Sequence, residues 1–228
     1  LKDTILLGVG AGINSKHVNI YTKLIYGKLL SKEFIHSTRD EYTKNMLENL
    51  GYKAINTGCP TLWGLTDDFC DSIPSEKSRK VIFTLTSYQR DLKNDKLMIE
   101  ILNKNYEELY FFPQSFSDLE YLKELGNFDV NVIAPNLYAY DSILRKGNID
   151  YVGNRLHGGI RALQHACRSL IIAIDYRAIN MSKQYQIPII ERENIGTQLD
   201  NFINSISQIR ISGLDFELID EWKKQFDF

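Results

Sequence analysis

The sequence contains few cysteines, almost no net charge and no long apolar run. Its three cysteines, Cys59, Cys70 and Cys167, are odd in number and lack metal-ligand spacing, so we expect free thiols, a reducing compartment and no metal site. The formal net charge of −2 at pH 7 gives no whole-chain attraction to nucleic acid or to an anionic membrane. No apolar run approaches the roughly 20 residues that span a bilayer, and no signal peptide is visible. These absences favour a cytoplasmic globular protein in which any charged site is local.

Short apolar runs alternate with helical patterns of about ten residues along most of the chain. A short continuous apolar run is typical of a strand buried in a parallel sheet, and the helices between such strands cover both faces of that sheet. The sequence therefore predicts an α/β fold with a mainly parallel sheet, which binds ligands beyond the carboxyl ends of its strands. In the second part of the chain, the predicted strands cover residues 81–86, 109–112, 130–134, 149–152, 170–174 and 187–190.

The polar stretch from residue 64 to 80, where the apolar pattern lapses, predicts a linker between two lobes. We place the boundary after residue 75, so that residues 1–75 form part of a first lobe and residues 76–228 form the second. The second lobe holds about six predicted strands, enough for a doubly wound domain, whereas the first holds only about three. We therefore expect the first lobe to be incomplete and sequence to be missing upstream, as the leucine at position 1 also indicates.

The stretch from Arg155 to Gly159 combines a fixed cation, an imidazole and two glycines at the end of a predicted strand. If the chain is still extended there, Arg155 and His157 point to the same side, and a helix that begins near residue 160 presents its N–H groups to the same place. Arginine binds phosphate and carboxylate groups, and histidine transfers protons near neutral pH. The pattern predicts a site for an anion at which a proton is also moved. The alternative is that Arg155 pairs with a surface carboxylate and that His157 bonds to backbone at the helix entry.

A second candidate site lies at Arg39 and Asp40, where a short strand of the first lobe runs into a helix. Arg39 brings no advantage to a helix start and could hold the same anion, whereas Asp40 fits either a ligand contact or an ordinary N-cap. Gly10 belongs to a glycine-rich segment, residues 8–12, that allows close approach of a ligand, although a plain turn is the commoner explanation. A helical stretch from about residue 14 to 30 follows.

Polar side chains also follow other predicted strands of the second lobe. Ser87 follows the first of these strands, Gln114 the second, and Arg177 the strand that ends at residue 174. Each could contact substrate hydroxyls, and each is also an ordinary cap or turn residue. Cys59 has no neighbouring base in the sequence, which disfavours a role as nucleophile.

In their order and spacing, these segments resemble the polysaccharide pyruvyl transferase family. The resemblance rests on Ser37-Thr38-Arg39-Asp40, on Thr57-Gly58-Cys59-Pro60 and, most specifically, on Asn154-Arg155-Leu156-His157 followed by a helix. Asp175-Tyr176-Arg177 comes next in the same order, so the resemblance covers nearly the whole chain. The chain departs from the family pattern in three ways: a Gly-Asn-x-Gly-Asp type opening does not appear, Arg168-Ser169-Leu170 replaces a common Gly-x-Pro turn, and Arg177 replaces a frequent lysine.

The resemblance implies two Rossmann-like lobes in the manner of the GT-B glycosyltransferases, with the active site between them. It also implies transfer of pyruvate from phosphoenolpyruvate to sugar hydroxyls of a cell-surface or exported polysaccharide, without a cofactor. Arg39 and Arg155 would hold the phosphate and carboxylate of the donor, and His157 would act as general acid/base. The acceptor would be a glycan or a lipid-linked sugar, which leaves peripheral membrane association open. Further substrate contacts are predicted at Asp40, Gly10, Ser87, Gln114, Gly158 and Arg177.

Two other functions stay open at this point. A GT-B glycosyltransferase with a nucleotide-sugar donor would need an acidic residue for the ribose, for which Glu191 or Glu193 could be proposed. A non-catalytic glycan-binding relative would keep the fold without the chemistry, although Arg39, Arg155 and His157 together argue against it. Release of phosphate from phosphoenolpyruvate, or of nucleoside diphosphate from a sugar nucleotide, separates the two enzymes.

Overall fold

A computed structural model describes residues 4–11 and 18–226 of the chain, which divides into two compact units. One unit comprises Leu1–Trp63 and Leu214–Phe228, and the other comprises Gly64–Gly213. The sequence predicts a division after residue 75, whereas the boundary between the units falls after Trp63. The end of the chain, from Leu214, belongs to the first unit and not to the second.

Strands and helices alternate through both units, as the apolar periodicity predicts. The strands are β1 (His36–Thr38), β2 (Ala54–Asn56), β3 (Lys80–Thr84), β4 (Glu108–Phe111), β5 (Asn131–Val132), β6 (Ile149–Gly153), β7 (Ser169–Ala173) and β8 (Ile189–Glu191). The helices are α1 (Ile20–Leu29), α2 (Glu41–Asn49), α3 (Asp67–Asp71), α4 (Leu92–Asn105), α5 (Phe116–Leu125), α6 (Leu137–Leu144), α7 (Leu156–Gln164), α8 (Tyr176–Tyr185), α9 (Ile195–Asn204) and α10 (Phe216–Lys224), with 3-10 turns at Pro60–Leu62 and Arg192–Asn194.

The second unit contains a six-stranded sheet in the order β5-β4-β3-β6-β7-β8. Every neighbouring pair is parallel. The first strand of this sheet in the chain, β3, lies beside the fourth, β6. The chain adds β4 and β5 outward from β3, and then β7 and β8 outward from β6. This is the order of a doubly wound Rossmann-like sheet. The predicted fold class, α/β with a mainly parallel sheet, is confirmed.

One face of this sheet forms the main apolar core of the second unit. Val81, Phe83, Val152, Leu170 and Ile172 are at most 2% exposed and belong to a single apolar cluster. Helices α4 and α9 cover this face with Met98, Ile99, Leu102, Leu199 and Ile203. The strands are therefore fixed by burial, and the loops that follow them at the carboxyl edge are held at set positions.

Arg168, one of the departures from the family pattern, is a buried anchor between β7 and α9. It is 2% exposed and donates to the carbonyls of Phe202 (2.6 Å), Ile203 (3.1 Å) and Ser205 (3.0 Å) at the end of α9. A cation at this end of a helix is favourable because the last carbonyls carry a partial negative charge. Asp150 of β6 supplies the countercharge, with its Oδ2 3.3 Å from Arg168 Nη1.

The first unit pairs β1 with β2 in parallel, and α10 packs beside them from the far end of the chain. Trp222 Nε1 donates to the Ile35 carbonyl at 2.8 Å, and the Ile35 N–H donates to Gln225 Oε1 at 2.8 Å. These contacts explain why residues after Leu214 belong to this unit. Helix α1 begins at Ile20 after the N-cap Asn19, and residues 14–17 of the predicted helix lie outside the described residues.

The three cysteines are thiols outside any disulfide, as predicted, and all three are buried. Burial raises the pKa of the Cys167 thiol to about 12, so this thiol is not a nucleophile at neutral pH. Within residues 4–11 and 18–226, no helix is long and apolar enough to cross a membrane. The same described ranges contain no group of three His, Cys, Asp or Glu side chains arranged to hold a metal ion.

Candidate active site

The segment from Asn154 to His157 lies at the topological switch point of the six-stranded sheet. Thr84, the last residue of β3, is in register with Gly153, the last residue of β6. A Cβ on Gly153 would overlap Thr84 Oγ1, so glycine allows the two strands to end close together. In doubly wound sheets, ligands bind in the crevice outside the strand ends at this point.

Helix α7 begins at Leu156, not near residue 160 as the sequence predicts. Arg155 is its N-cap residue, with φ −97° and ψ 98°, and His157 is its second residue. The argument that an extended chain places Arg155 and His157 on one side is therefore wrong, because His157 is helical. Both residues nevertheless line the same cavity, since the start of the helix turns them towards one crevice.

Two glycines allow the first turn of α7 to lie directly against the sheet. A Cβ on Gly159 would lie 2.6 Å from Ile171 Cγ1 and 2.9 Å from Tyr151 Cε1. A Cβ on Gly158 would lie 3.0 Å from Tyr151 Oη. The sequence predicts that the two glycines precede the helix, but they belong to its first turn. Close packing against β6 and β7 requires glycine at these positions.

Gly159→Ala is expected to lower the free energy of unfolding by about 1–3 kcal/mol, because the added methyl group overpacks against Ile171 and Tyr151. Urea denaturation followed by circular dichroism measures the change. Gly27→Ala is the control, because Gly27 lies in α1 with no atom within 4 Å of an added Cβ. Alanine should stabilise that helix by roughly 0.5–1 kcal/mol. Changes of the same sign in both variants would contradict the close packing of α7.

A cavity of about 150 Å³, which we call the polar pocket, lies at the N-terminus of α7. The N–H groups of a first helical turn carry a partial positive charge, and Arg155 and Arg177 add two guanidinium groups, so this pocket suits an anionic ligand. Its lining comes from α7 and from the segments that follow β3, β4, β6 and β7. The lining residues are Tyr88, Gln114, Asn154, Arg155, Leu156, His157, Gly158, Ile174, Asp175, Arg177 and Ala178.

A second cavity of about 290 Å³, which we call the apolar pocket, also has His157 in its lining. Two of its aromatic residues, Phe112 and Tyr140, are stacked with ring centroids 4.2 Å apart and planes 2° apart. The two pockets share three residues, so His157 stands on a common wall between cavities of different character. The lining residues are Phe112, Gln114, Pro135, Asn136, Leu137, Tyr140, His157, Gly158 and Arg161.

Arg155 is held by a buried carboxylate. Its Nη2 donates to Asp118 Oδ1 at 2.9 Å and Oδ2 at 2.8 Å, and its Nε donates to the Leu85 carbonyl at 3.1 Å. The Tyr88 ring lies 5.1 Å from the guanidinium carbon, a cation–π distance. The side chain of Arg155 is 15% exposed and that of Asp118 is 0% exposed. The ion-pair alternative for Arg155 is therefore correct, except that the carboxylate is buried and not at the surface.

Asp118 joins three segments that surround the polar pocket. Besides Arg155, it accepts hydrogen bonds from the N–H groups of Ser87 (3.0 Å), Gln114 (3.0 Å) and Ser115 (3.1 Å). Burial alone would raise the pKa of Asp118, but these N–H bonds and the Arg155 charge hold it below its ordinary value. Sequence reasoning missed this residue, since the capping-box spacing from Ser115 to Asp118 indicates only a helix start.

Asn154 brings a buried amide to the polar pocket and was also missed as a site residue. It is 5% exposed, and its Oδ1 accepts a hydrogen bond from Thr86 Oγ1 at 2.7 Å. Its Nδ2 is buried and has no hydrogen-bond partner within the described part of the chain. Because buried donors in native proteins are nearly always satisfied, this nitrogen marks a place for an acceptor atom beside the pocket.

Arg177 lines the polar pocket, and it is paired with Asp175 within the same turn of chain. Its Nη2 lies 2.6 Å from Asp175 Oδ2, and its side chain is 62% exposed. Burial would raise the pKa of Asp175, but hydrogen bonds from Arg177 lower it. Arg177 therefore differs from Arg155: its cation is at the open side of the pocket and exposed to solvent.

The other predicted contacts in the second unit fall into two groups. Gln114 and Gly158 line both pockets. Ser87 is in neither lining, and its N–H donates to Asp118. The structure thus brings four of the predicted residues together around His157, whereas Ser87 supports the site through its backbone.

Gly10, Arg39 and Asp40 lie together in the first unit. A Cβ on Gly10 would lie 2.9 Å from Arg39 Cζ and 2.9 Å from Asp40 Oδ2. Asp40 is the N-cap of α2, where its Oδ1 accepts from the Thr43 N–H at 2.7 Å and the Thr43 hydroxyl at 2.6 Å. The capping alternative for Asp40 is confirmed, and ligand contacts at these three residues stay predictions.

The family described as polysaccharide pyruvyl transferase matches residues 2–176 of the chain. The chain belongs to this family. The matched range includes Arg39, Arg155 and His157, and it ends one residue before Arg177. Membership makes the protein a pyruvyl transferase of polysaccharide biosynthesis and confirms the resemblance carried by its sequence motifs.

Among solved structures, this pyruvyl transferase chain is similar to one described as a co-structure of S. aureus MnaA with UDP. The alignment covers 97% of this chain and 67% of that chain, with a TM-score of 0.52 and 12% identity. At this identity the likeness concerns the fold alone, which is GT-B-like and Rossmann-like, in agreement with the predicted class. No curated protein matches the sequence.

Proposed function

We propose that the chain transfers pyruvate from phosphoenolpyruvate to hydroxyls of a sugar in a cell-surface or exported polysaccharide, with His157 as the general acid/base. The observation that carries the proposal is the position of His157 on the wall shared by the polar and apolar pockets. A group that moves protons is most useful where two reactants meet. We place the reaction in the cytoplasm, which the cysteine thiols favour.

The polar pocket is the place we propose for the donor. Phosphoenolpyruvate carries a phosphate and a carboxylate, and the pocket offers the N-terminus of α7, the exposed guanidinium of Arg177 and the buried amide of Asn154. Arg155 contributes its charge from a fixed position, and its bonds to Leu85 and Asp118 use Nε and Nη2 but not Nη1. The volume of about 150 Å³ is below the roughly 300 Å³ at which typical ligand pockets begin, which favours a small donor.

The proposed chemistry begins with a proton from the His157 imidazolium to the methylene carbon, C3, of the donor. C2 then becomes electrophilic, and a sugar oxygen forms a bond to it as the hydroxyl gives its proton to the now neutral imidazole of His157. The bond between C2 and the phosphate oxygen breaks, and inorganic phosphate leaves. A second hydroxyl of the same sugar adds to C2 and gives its proton to the released phosphate, which closes the ketal. The cationic lining would stabilise the charge on the departing phosphate.

A nucleotide-sugar donor is the rival, because the similar MnaA structure is a complex with UDP. Two observations disfavour it. An identity of 12% carries the fold but no ligand. Glu191, proposed for the ribose, ends β8 at the edge of the sheet, and neither Glu191 nor Glu193 lines the polar or the apolar pocket.

The test is incubation of the chain with phosphoenolpyruvate and a panel of glycans, followed by assay of phosphate and mass spectrometry of the sugar. We expect phosphate and sugar-bound pyruvate to appear in equal amounts. Release of nucleoside diphosphate from a sugar nucleotide, with no phosphate from phosphoenolpyruvate, would contradict the proposal. Binding of glycans without turnover of either donor would favour the non-catalytic relative.

A further inference from the structure

We propose that the apolar pocket binds one neutral sugar ring of the acceptor, with its two reacting hydroxyls turned towards His157. This inference deepens the proposed function, and it rests on that function for the reaction but not for the binding itself. It follows from the lining, the charge balance and the position of the pocket.

The lining of the apolar pocket suits the weakly polar face of a sugar ring. The stacked rings of Phe112 and Tyr140 are 4% and 1% exposed, so they form a rigid base. The Tyr140 hydroxyl fixes this base by donating to the Gly158 carbonyl at 2.8 Å. Leu137 adds an apolar wall that is 67% exposed. The volume of about 290 Å³ is near the lower end of the roughly 300–1,000 Å³ of typical ligand sites, which suits a single ring.

Arg161, which lines the apolar pocket, is paired with a carboxylate, and this pairing favours a neutral ligand. Arg161 donates from Nε and Nη2 to Asp141 at 2.9 Å and 2.6 Å, and from Nη1 to Gln164 Oε1 at 3.0 Å. The hydrogen bond from Arg161 is the main reason that the pKa of Asp141 lies below its ordinary value. Gln114 and Asn136 also line the pocket, and their amides both donate and accept, as hydroxyl ligands require.

The position of the apolar pocket gives the bound ring its orientation. Gln114, His157 and Gly158 line both pockets, so one edge of a ring in the apolar pocket faces the donor. Ketal formation joins two oxygens of one sugar to the same carbon, C2 of the donor. The acceptor ring therefore places two neighbouring hydroxyls at this shared wall and its apolar face against Leu137, which lines the pocket with the buried Phe112 and Tyr140.

Leu137→Ala tests the site, and Leu92→Ala is its matched control. Both leucines are the first residue of a helix, α6 and α4, and they are 67% and 51% exposed, but Leu92 lines neither pocket. The probes are methyl glycosides of the common hexoses and N-acetylhexosamines, titrated without donor by saturation-transfer NMR. Loss of the apolar wall should weaken binding about fivefold in Leu137→Ala and leave it unchanged in Leu92→Ala. Leu137→Trp, which fills the cavity, should abolish binding.

Equal affinities of wild type and both Leu137 variants would overturn the acceptor site, as would the failure of every methyl glycoside to bind the wild-type chain. Because the titration contains no donor, this failure is distinct from that of the proposed function, which would show itself as no phosphate release from phosphoenolpyruvate. In the full reaction, Leu137→Ala should raise the KM of the acceptor about fivefold and leave the KM of the donor unchanged. A change in the donor KM alone would also overturn the proposal.

Discussion

The His157→Gln variant is expected to lose about 10²–10⁴-fold in kcat for pyruvyl transfer from phosphoenolpyruvate. Glutamine keeps a polar side chain at this exposed position in the first turn of α7 but cannot carry a proton to the donor carbon. The KM of the donor should change little, because the proposed anion contacts come from the helix N-terminus, Arg177 and Asn154. Steady-state phosphate release with saturating donor and acceptor measures both parameters.

His165→Gln is the matched control for this variant. His165 is the C-cap residue of the same helix, and its Nε2 lies 3.3 Å from Asp141 Oδ1 without lining either pocket. Its kcat should stay within about twofold of the wild-type value, since it contacts neither proposed substrate. Retention of more than about one tenth of wild-type kcat by His157→Gln would contradict a general-acid role, for which the lower expected loss is about 100-fold.

The strands of the second unit could be predicted from sequence, because each buried strand is a short apolar run. The predicted strands at 81–86 and 149–152 correspond to β3 (Lys80–Thr84) and β6 (Ile149–Gly153). The order of the strands could not be predicted in the same way, since it depends on the side to which each connection crosses. Two complete strand–helix units separate β3 from β6 in the chain, yet they are neighbours at the switch point.

The candidate site was predictable only where its signal is local. The Asn154-to-His157 motif places a cation and an imidazole at a strand end, and this part is correct. The predicted start of α7 was wrong. Helix propensity disfavours two glycines in a first turn, whereas packing against the sheet requires them there. The pairing of Arg155 with Asp118 spans 37 residues, and no periodicity or spacing links positions so far apart.

Asp118→Asn is expected to lower the free energy of unfolding by about 3–5 kcal/mol, the usual cost of removing one partner from a buried ion pair. Asp118 accepts hydrogen bonds from N–H donors on Ser87, Gln114, Ser115 and Arg155. An asparagine amide would turn one acceptor into a donor facing these groups, and it would leave the Arg155 charge without its partner. Urea denaturation of the two proteins measures the loss.

Asp175→Asn supplies the comparison, because Asp175 also lies at a helix N-terminus and pairs with an arginine, but the side chains of that pair are 62% (Arg177) and 27% (Asp175) exposed. Asparagine caps a helix as well as aspartate does, and an exposed pair contributes only about 0–1 kcal/mol. A loss for Asp118→Asn no larger than that for Asp175→Asn would contradict a stabilising role for the buried pair.

The pH dependence of stability gives the Asp118 substitution a second signature. The pKa of Asp118 is lowered in the folded chain, so the folded state binds fewer protons than the unfolded state near the ordinary value of about 4. The stabilisation is therefore complete above that value and is lost as the pH falls through the lower folded pKa. The difference in unfolding free energy between wild type and Asp118→Asn should be constant from about pH 5 to 7 and shrink below about pH 4. A difference that stays constant well below about pH 4 would contradict the proposal that the Asp118 charge holds Arg155 and the segments at Ser87 and Gln114 in place.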